Sequence, residues 1–132
     1  AGRECDIAVD HSEFTNMPQA QIEQCVAIMK AAGMNATVSS IHINGWFGEH
    51  NKLEGARWIV DELFGIDLDA TLGQWVYIGD STNDQLMFQH MPLSVGVANI
   101  ARFVPQLKHL PRFVTEAERG DGFVQLTDHL LK

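Results

Sequence analysis

Trp75-Val76-Tyr77-Ile78-Gly79-Asp80-Ser81-Thr82-Asn83-Asp84 is the stretch on which the fold turns. Residues 75–79 read as a continuous apolar strand, the kind buried on both faces of a parallel sheet. Asp80 leaves that strand at its carboxyl end, where open α/β sheets bind ligands. Asp84 follows about one helical turn later, so two carboxylates stand where they can share a hard divalent cation. Mg²⁺ takes one or two carboxylates together with water and substrate phosphate. Gly79 permits a close backbone approach at the same point. The competing reading is a plain loop, with an Asp or Asn capping the next helix and the acids solvated.

Outward from this stretch the chain alternates. Before it, Lys52 to Phe64 reads as a helix with Leu53, Ala56, Val60 and Leu63 on one face and Gly65 past its end. After it come a helix from Asn83 to His90, a buried strand from Leu93 to Ala98 and a helix from Ile100 to His109. A strand from Arg112 to Thr115 and a last helix from Gly122 to Leu131 complete the series. Strands alternating with helices at this spacing imply βα units and a parallel sheet.

The first fifty residues differ. Residues 5–10 read as a strand, and Pro18 suits the first position of a helix. Ile22, Cys25, Val26 and Met29 fall at i, i+3, i+4 and i+7 of that helix, and Gly33 ends it. Residues 36–44 are β-branched and partly alternating, a strand. Gly45 and Gly48 bracket a turn with a short return strand through Trp46 and Phe47. The boundary is expected near residue 50, giving segments 1–50 and 51–132.

The composition is that of an ordinary globular chain: 132 residues, 45% hydrophobic and 20% charged. Net charge is −8, from 17 acidic and 9 basic residues. The basic residues are scattered singly, which argues against nucleic acid or an anionic membrane as partner. No apolar run reaches the ~18 residues of a membrane span. Cys5 and Cys25 form no CxxC pair, so a reduced, cytoplasmic protein is the expectation. The six histidines lack HxxxH or HExxH spacing, which does not favour zinc. No G-x-S-x-G elbow supports a serine hydrolase. Trp46, Trp58 and Trp75 are expected in packing.

Lys52 is unusual in opening a helix, where a positive charge opposes the dipole. Holding a phosphate anion is one use for it; a solvated surface lysine is the plainer one. Lys52, its helix, the Gly65-Ile66 break, the apolar strand and Gly79-Asp80-Ser81-Thr82-Asn83-Asp84-Gln85-Leu86-Met87 together resemble the haloacid dehalogenase (HAD) superfamily. Ser94-Val95-Gly96-Val97-Ala98-Asn99, Phe113-Val114-Thr115 and Gly120-Asp121-Gly122-Phe123 resemble the end of its Cof-like, type IIB branch, which includes sugar-phosphate phosphatases and phosphomannomutases. The match covers about residues 50–132; residues 1–50 resemble, more loosely, the last part of that branch's α/β cap. Leu53 departs from the glycine that follows the lysine in many relatives, a matter of packing rather than chemistry.

The resemblance implies a HAD-like, Rossmann-like parallel-sheet core, present as its C-terminal half. It implies a Mg²⁺-dependent phosphatase that works through an aspartyl-phosphate. Lys52 would steady nucleophile and phosphate, Asp80 and Asp84 would form the metal site, and Asn83 would orient the loop. His42 and Asn44, with Trp46 and His50 nearby, are candidate substrate-facing cap residues, although such residues more often serve packing. The substrate would be a small phosphorylated metabolite, a sugar phosphate among the candidates.

The family's nucleophile motif, D-x-D-x-T/V, ends a buried first strand. Asp67-Leu68-Asp69-Ala70-Thr71 spells it but follows a charged helix end and a glycine cap, and leaves only residues 72–74 before the next strand. A parallel crossover needs about a dozen residues or more, so this string reads as a decoy. Asp6 and Asp10 have the wrong spacing. The chain therefore reads as the C-terminal part of a larger enzyme, inactive alone. It would associate with its missing N-terminal half or with a second copy of itself. A phosphomutase of the same branch and a non-catalytic α/β module binding an anion or a partner are the alternatives.

Overall fold

The structure is a computed structural model that describes residues 5–132. The chain forms two compact units, one ending at Glu49 and one beginning at His50.

The first unit is a three-stranded antiparallel sheet with one helix. Strand β1 (Asp6–Asp10) is followed by helix α1 (Gln19–Ala31), then β2 (Asn35–Val38) and β3 (His42–Trp46), in the order β1-β3-β2. Asp10 shapes the turn after β1: its carboxylate accepts from the amides of Ser12, Glu13 and Phe14. The 3.6-residue period of α1 brings Ile22, Cys25, Val26 and Met29 onto the sheet. Ile43, wholly buried, faces Val9 on one side and Val38 on the other. The expected single strand over 36–44 is two strands, because residues 39–41 turn the chain: Ser39 Oγ donates to the His42 carbonyl and accepts from the His42 amide. No return strand runs through Trp46 and Phe47; Trp46 ends β3 and Phe47 is exposed.

The second unit carries a parallel sheet in the order β4-β5-β6, built from Tyr77–Gly79, Ser94–Gly96 and Phe113–Val114. Helix α2 (Lys52–Phe64) starts at Asn51, whose Oδ1 accepts from the amides of Leu53 and Glu54 at 2.9 and 3.0 Å. It ends at Gly65, which sits at φ +63° where a side chain would be strained. A 3₁₀ turn at Thr82–Asp84 leads into α3 (Gln85–His90); a 3₁₀ helix at Ala98–Gln106 follows β5, and α4 (Arg119–Leu130) closes the chain. Leu53 and Val60 of α2 join Leu68, Met87 and Met91 in one core.

Two further expectations change here. Leu63 and Trp58 are exposed rather than packed, so the buried stripe of α2 is narrower than its apolar pattern. Strand β4 is only half-buried, whereas β5 is buried throughout. The cause is position: β5 has neighbours on both sides, while β4 has none on its outer side among the described residues. Among the described residues no helix is long and apolar enough to cross a membrane.

Ile43→Ala should destabilise the first unit by about 2–5 kcal/mol, the range for removing a large buried aliphatic side chain. Amide hydrogen exchange across β1 and β3 checks this; unchanged protection there would show that Ile43 is not the keystone of that sheet.

Candidate active site

The carboxyl end of β4 gathers the second unit's candidate residues. Gly79 ends the strand, and the backbone turns so that Asp84 lies beneath it. A Cβ on Gly79 would stand 2.6 Å from Asp84 Cγ and Oδ2, so only glycine fits. Asp84 itself is almost wholly buried. Its Oδ2 accepts from the backbone amides of Asp80 at 2.8 Å and Ser81 at 3.1 Å. Its Oδ1 accepts from Lys52 Nζ at 2.5 Å and from the Tyr77 hydroxyl at 2.5 Å. Lys52 Nζ also donates to Asn83 Oδ1 at 3.2 Å, and Ser81 Oγ donates to the same oxygen at 2.9 Å.

Lys52, Asn83, Asp84 and the Asp80 loop are thus brought together across thirty residues of sequence, by α2 on one side and the turn after β4 on the other. Their roles separate. Both oxygens of Asp84 are taken by four donors, so this carboxylate does not stand open to share a cation with Asp80. It orders the loop and receives Lys52. Asp80 is the open carboxylate: among the described residues its side chain takes one hydrogen bond, from Asn99 Nδ2 at 3.3 Å. Asn99 is buried, and its Oδ1 accepts from the Arg119 amide at 3.0 Å, which ties the Asp80 loop to the start of α4.

The electrostatics follow from this packing. Burial opposes the charge on Asp84, but the hydrogen bonds from Lys52 and Tyr77, the Lys52 charge and the Asp80 amide outweigh it and hold the carboxyl below its ordinary value. Burial, then the adjacent Asp84 charge, pushes the Tyr77 hydroxyl far above the usual phenol range. Tyr77 therefore stays protonated and donates.

His42 and Asn44 belong to the first unit, on β3. His42 pairs with Glu13, Nε2 to Oε2 at 3.0 Å, and lies opposite Asp10 in the ladder; Asn44 lies between Ala8 and Thr37. The Asp67–Thr71 string ends no strand. Asp67 Oδ1 caps the following turn through the amides of Asp69 and Ala70. Asp69 is paired with Arg57 Nε at 2.8 Å and His90 Nε2 at 2.5 Å. Among the described residues no group of three or more His, Cys, Asp or Glu side chains is placed to hold a metal.

Tyr77 and Asn99 are the site residues that sequence reasoning passed over. For Tyr77 the signal was a hydroxyl in an otherwise apolar strand, three residues before Asp80. For Asn99 it was an amide at the carboxyl end of the next strand.

No family model matches the chain. It is 35% identical over 65 residues to the Phosphoglycolate phosphatase 2 of Saccharolobus solfataricus, covering 49% of this chain and 27% of that protein. It is 35% identical over 80 residues to the Phosphoglycolate phosphatase of Methanosarcina acetivorans, covering 61% of this chain and 32% of that one. The crystal structure of Thermoplasma acidophilum 0175 superposes on 96% of this chain and 50% of its own, with a TM-score of 0.63 and 20% identity, a likeness of fold. The chain thus spans about a third of the length of the curated relatives it matches. Both curated relatives carry phosphatase names, and the likeness to each is confined to that part of its length.

The depressed carboxyl of Asp84 gives a pH signature. Its contribution to stability is complete above the unfolded-state value of about 3.9 and is lost as pH falls through the lower folded value. In Asp84→Asn the acid limb of the stability curve of residues 50–132 should flatten, with lower stability at neutral pH. Urea unfolding followed between pH 2 and 7 checks this; an unchanged acid limb would show that Asp84 is not the group responsible.

Proposed function

We propose that this chain forms the C-terminal half of the core, and the end of the cap, of a Mg²⁺-dependent phosphatase of the Cof-like HAD branch. The substrate is a small phosphorylated metabolite. The observation that carries the reading is the Lys52 ammonium, held 2.5 Å from the buried Asp84 carboxylate at the carboxyl end of β4, next to the open carboxylate of Asp80. The phosphatase names of the partial relatives support the same reading.

Within it, Asp80 would hold Mg²⁺. The donor set fits in part: Mg²⁺ accepts a single protein carboxylate when water, phosphate and a further ligand complete its octahedron. A Mg²⁺ ion held by Asp80 would supply positive charge to balance that of a transferring phosphoryl group. Lys52 places a second positive charge beside it, where oxygens of the phosphate gain charge-assisted hydrogen bonds. Asp84 keeps the ammonium at the loop, and Asn83 gives it a second acceptor. The nucleophilic aspartate and the acid/base group come from polypeptide outside residues 5–132. The 132-residue chain alone is then inactive. A phosphomutase of the same branch would use the same residues, and product analysis with a hexose 1-phosphate separates the two.

Strand β4 bears on partners. An apolar strand with a free edge invites a further strand. We assign that place to the remainder of the same protein, or to a second copy of this chain in its absence. The 132-residue chain should accordingly run in solution as a dimer or larger species; a clean monomer by light scattering would contradict this.

In NMR titration with Mg²⁺, the amides of residues 79–84 should move first; shifts elsewhere with this loop unmoved would remove the metal from Asp80. In the complete enzyme, Lys52→Ala and Asp80→Asn should each lower kcat by ~100-fold or more, the scale of losing one electrostatic stabiliser. Asp80→Asn is the cleaner variant, because Lys52→Ala also strips a buried carboxylate of its counter-charge, a change that destabilises. Near-full turnover of a folded variant in saturating Mg²⁺ would take that residue out of the mechanism.

A further inference from the structure

We infer that Tyr77 is a positioning residue for Lys52: its hydroxyl and the Lys52 ammonium share one oxygen of Asp84, so Tyr77 decides where that ammonium stands beside the Asp80 loop. The inference rests on the phosphatase reading only for what the ammonium is then used for.

The reason lies in what each partner can and cannot fix. A carboxylate oxygen offers two lone-pair directions. Asp84 Oδ1 receives two donors, Tyr77 and Lys52, both at 2.5 Å. One direction being taken by the hydroxyl, the ammonium is confined to the other. Lys52 is the soft member. Its side chain is 48% exposed, and a lysine stem has many rotamers to lose. Tyr77 is the stiff one. It rises from β4, its ring meets Phe88 edge-on at 6.0 Å between centroids, and it packs against the core of Leu53, Val60 and Met87. The other oxygen of Asp84 is pinned by two backbone amides. A rigid donor and a rigid acceptor thus leave one place for a flexible cation.

Charge points the same way. Tyr77 is a neutral donor, and burial beside a carboxylate keeps it protonated. It satisfies half of Oδ1 without adding positive charge. Asp84 is therefore kept in a dry site without a second cation, and the one ammonium present is held between Asp84 and Asn83 with its side chain half exposed. An apolar residue at position 77 would leave that lone pair for Lys52 to cover or for water to fill, and the ammonium would lose its fixed direction.

Tyr77 is the only tyrosine of the chain, which makes the test clean. In the ¹⁵N-labelled chain the Lys52 side-chain ammonium should give a slowly exchanging signal, assigned by its loss in Lys52→Arg. In Tyr77→Phe, which keeps the ring, that signal should exchange about tenfold faster or vanish, a factor matching the loss of one hydrogen bond. The backbone amides of Asp80 and Ser81 should stay protected. An unchanged ammonium signal in folded Tyr77→Phe overturns the inference. Should Tyr77→Phe not fold, labelling the chain with 3-fluorotyrosine reports on position 77 alone. Its ¹⁹F resonance should move in Lys52→Arg, and a resonance that does not move overturns the inference as well. Addition of inorganic phosphate with Mg²⁺ separates this from the function proposed above. A Lys52 ammonium that loosens in Tyr77→Phe, with no phosphate response in the parent chain, keeps the positioning role and removes the phosphatase reading.

Discussion

A buried carboxylate with four donors is the constraint on which the second unit depends. Asp84 has almost no exposure to water, so its charge persists only because Lys52, Tyr77 and the amides of Asp80 and Ser81 replace the solvent. Three of the donors come from β4 and the loop after it and the fourth from the start of α2, so the carboxylate holds these two stretches together. The start of α2 is drawn to the end of β4, the loop after β4 curls over the carboxylate, and Gly79 is required because any side chain would occupy the same space. An ion pair with one buried and one half-exposed partner is weak evidence for stability as such. Its use here is placement: it fixes a cation beside an open carboxylate at the edge where parallel sheets bind ligands.

The two sheets solve different problems. In the first unit, an antiparallel sheet covers one face with α1 and leaves the other face to half-buried residues such as His42 and Asn44, a common arrangement for such sheets. In the second, a parallel sheet of three short strands would ordinarily be enclosed on both sides. Its central strand β5 is; β4, which carries the candidate site, is not. The site and the free edge lie on the same strand. A strand pairing there in parallel would bring its own carboxyl end next to Asp80 and Lys52.

Ion pairs at the surface of the second unit make the contrast plain. The Asp69 carboxylate meets Arg57 and the His90 ring at the surface, where Asp69 is exposed and the other two are half-buried, and these contacts hold a 3₁₀ turn to α2 and α3. Asp67 caps that turn. The D-x-D-x-T spelling is produced by turn chemistry, with short polar side chains bonding nearby amides. The same residue types gain a catalytic reading only at the end of a sheet strand.

The sequence by itself determined the alternation of strands and helices, the apolar face of α1, the glycine that ends α2 and the loop after β4, because these rest on local periodicity and short-range backbone chemistry. It also brought Lys52, Asp80, Asn83 and Asp84 under one heading through a motif resemblance. Three things were left to tertiary structure. The division of residues 36–44 into two strands depended on side-chain bonds from Ser39 across the turn. The exposure of Leu63 and Trp58, and the half-burial of β4, depended on which elements were there to cover them. The separation of Asp80 from Asp84, one open and one saturated, depended on donors that meet only when β4, its loop and α2 are assembled. Spacing along a chain can place two carboxylates at one sheet edge; only the packing around them decides which one faces outward.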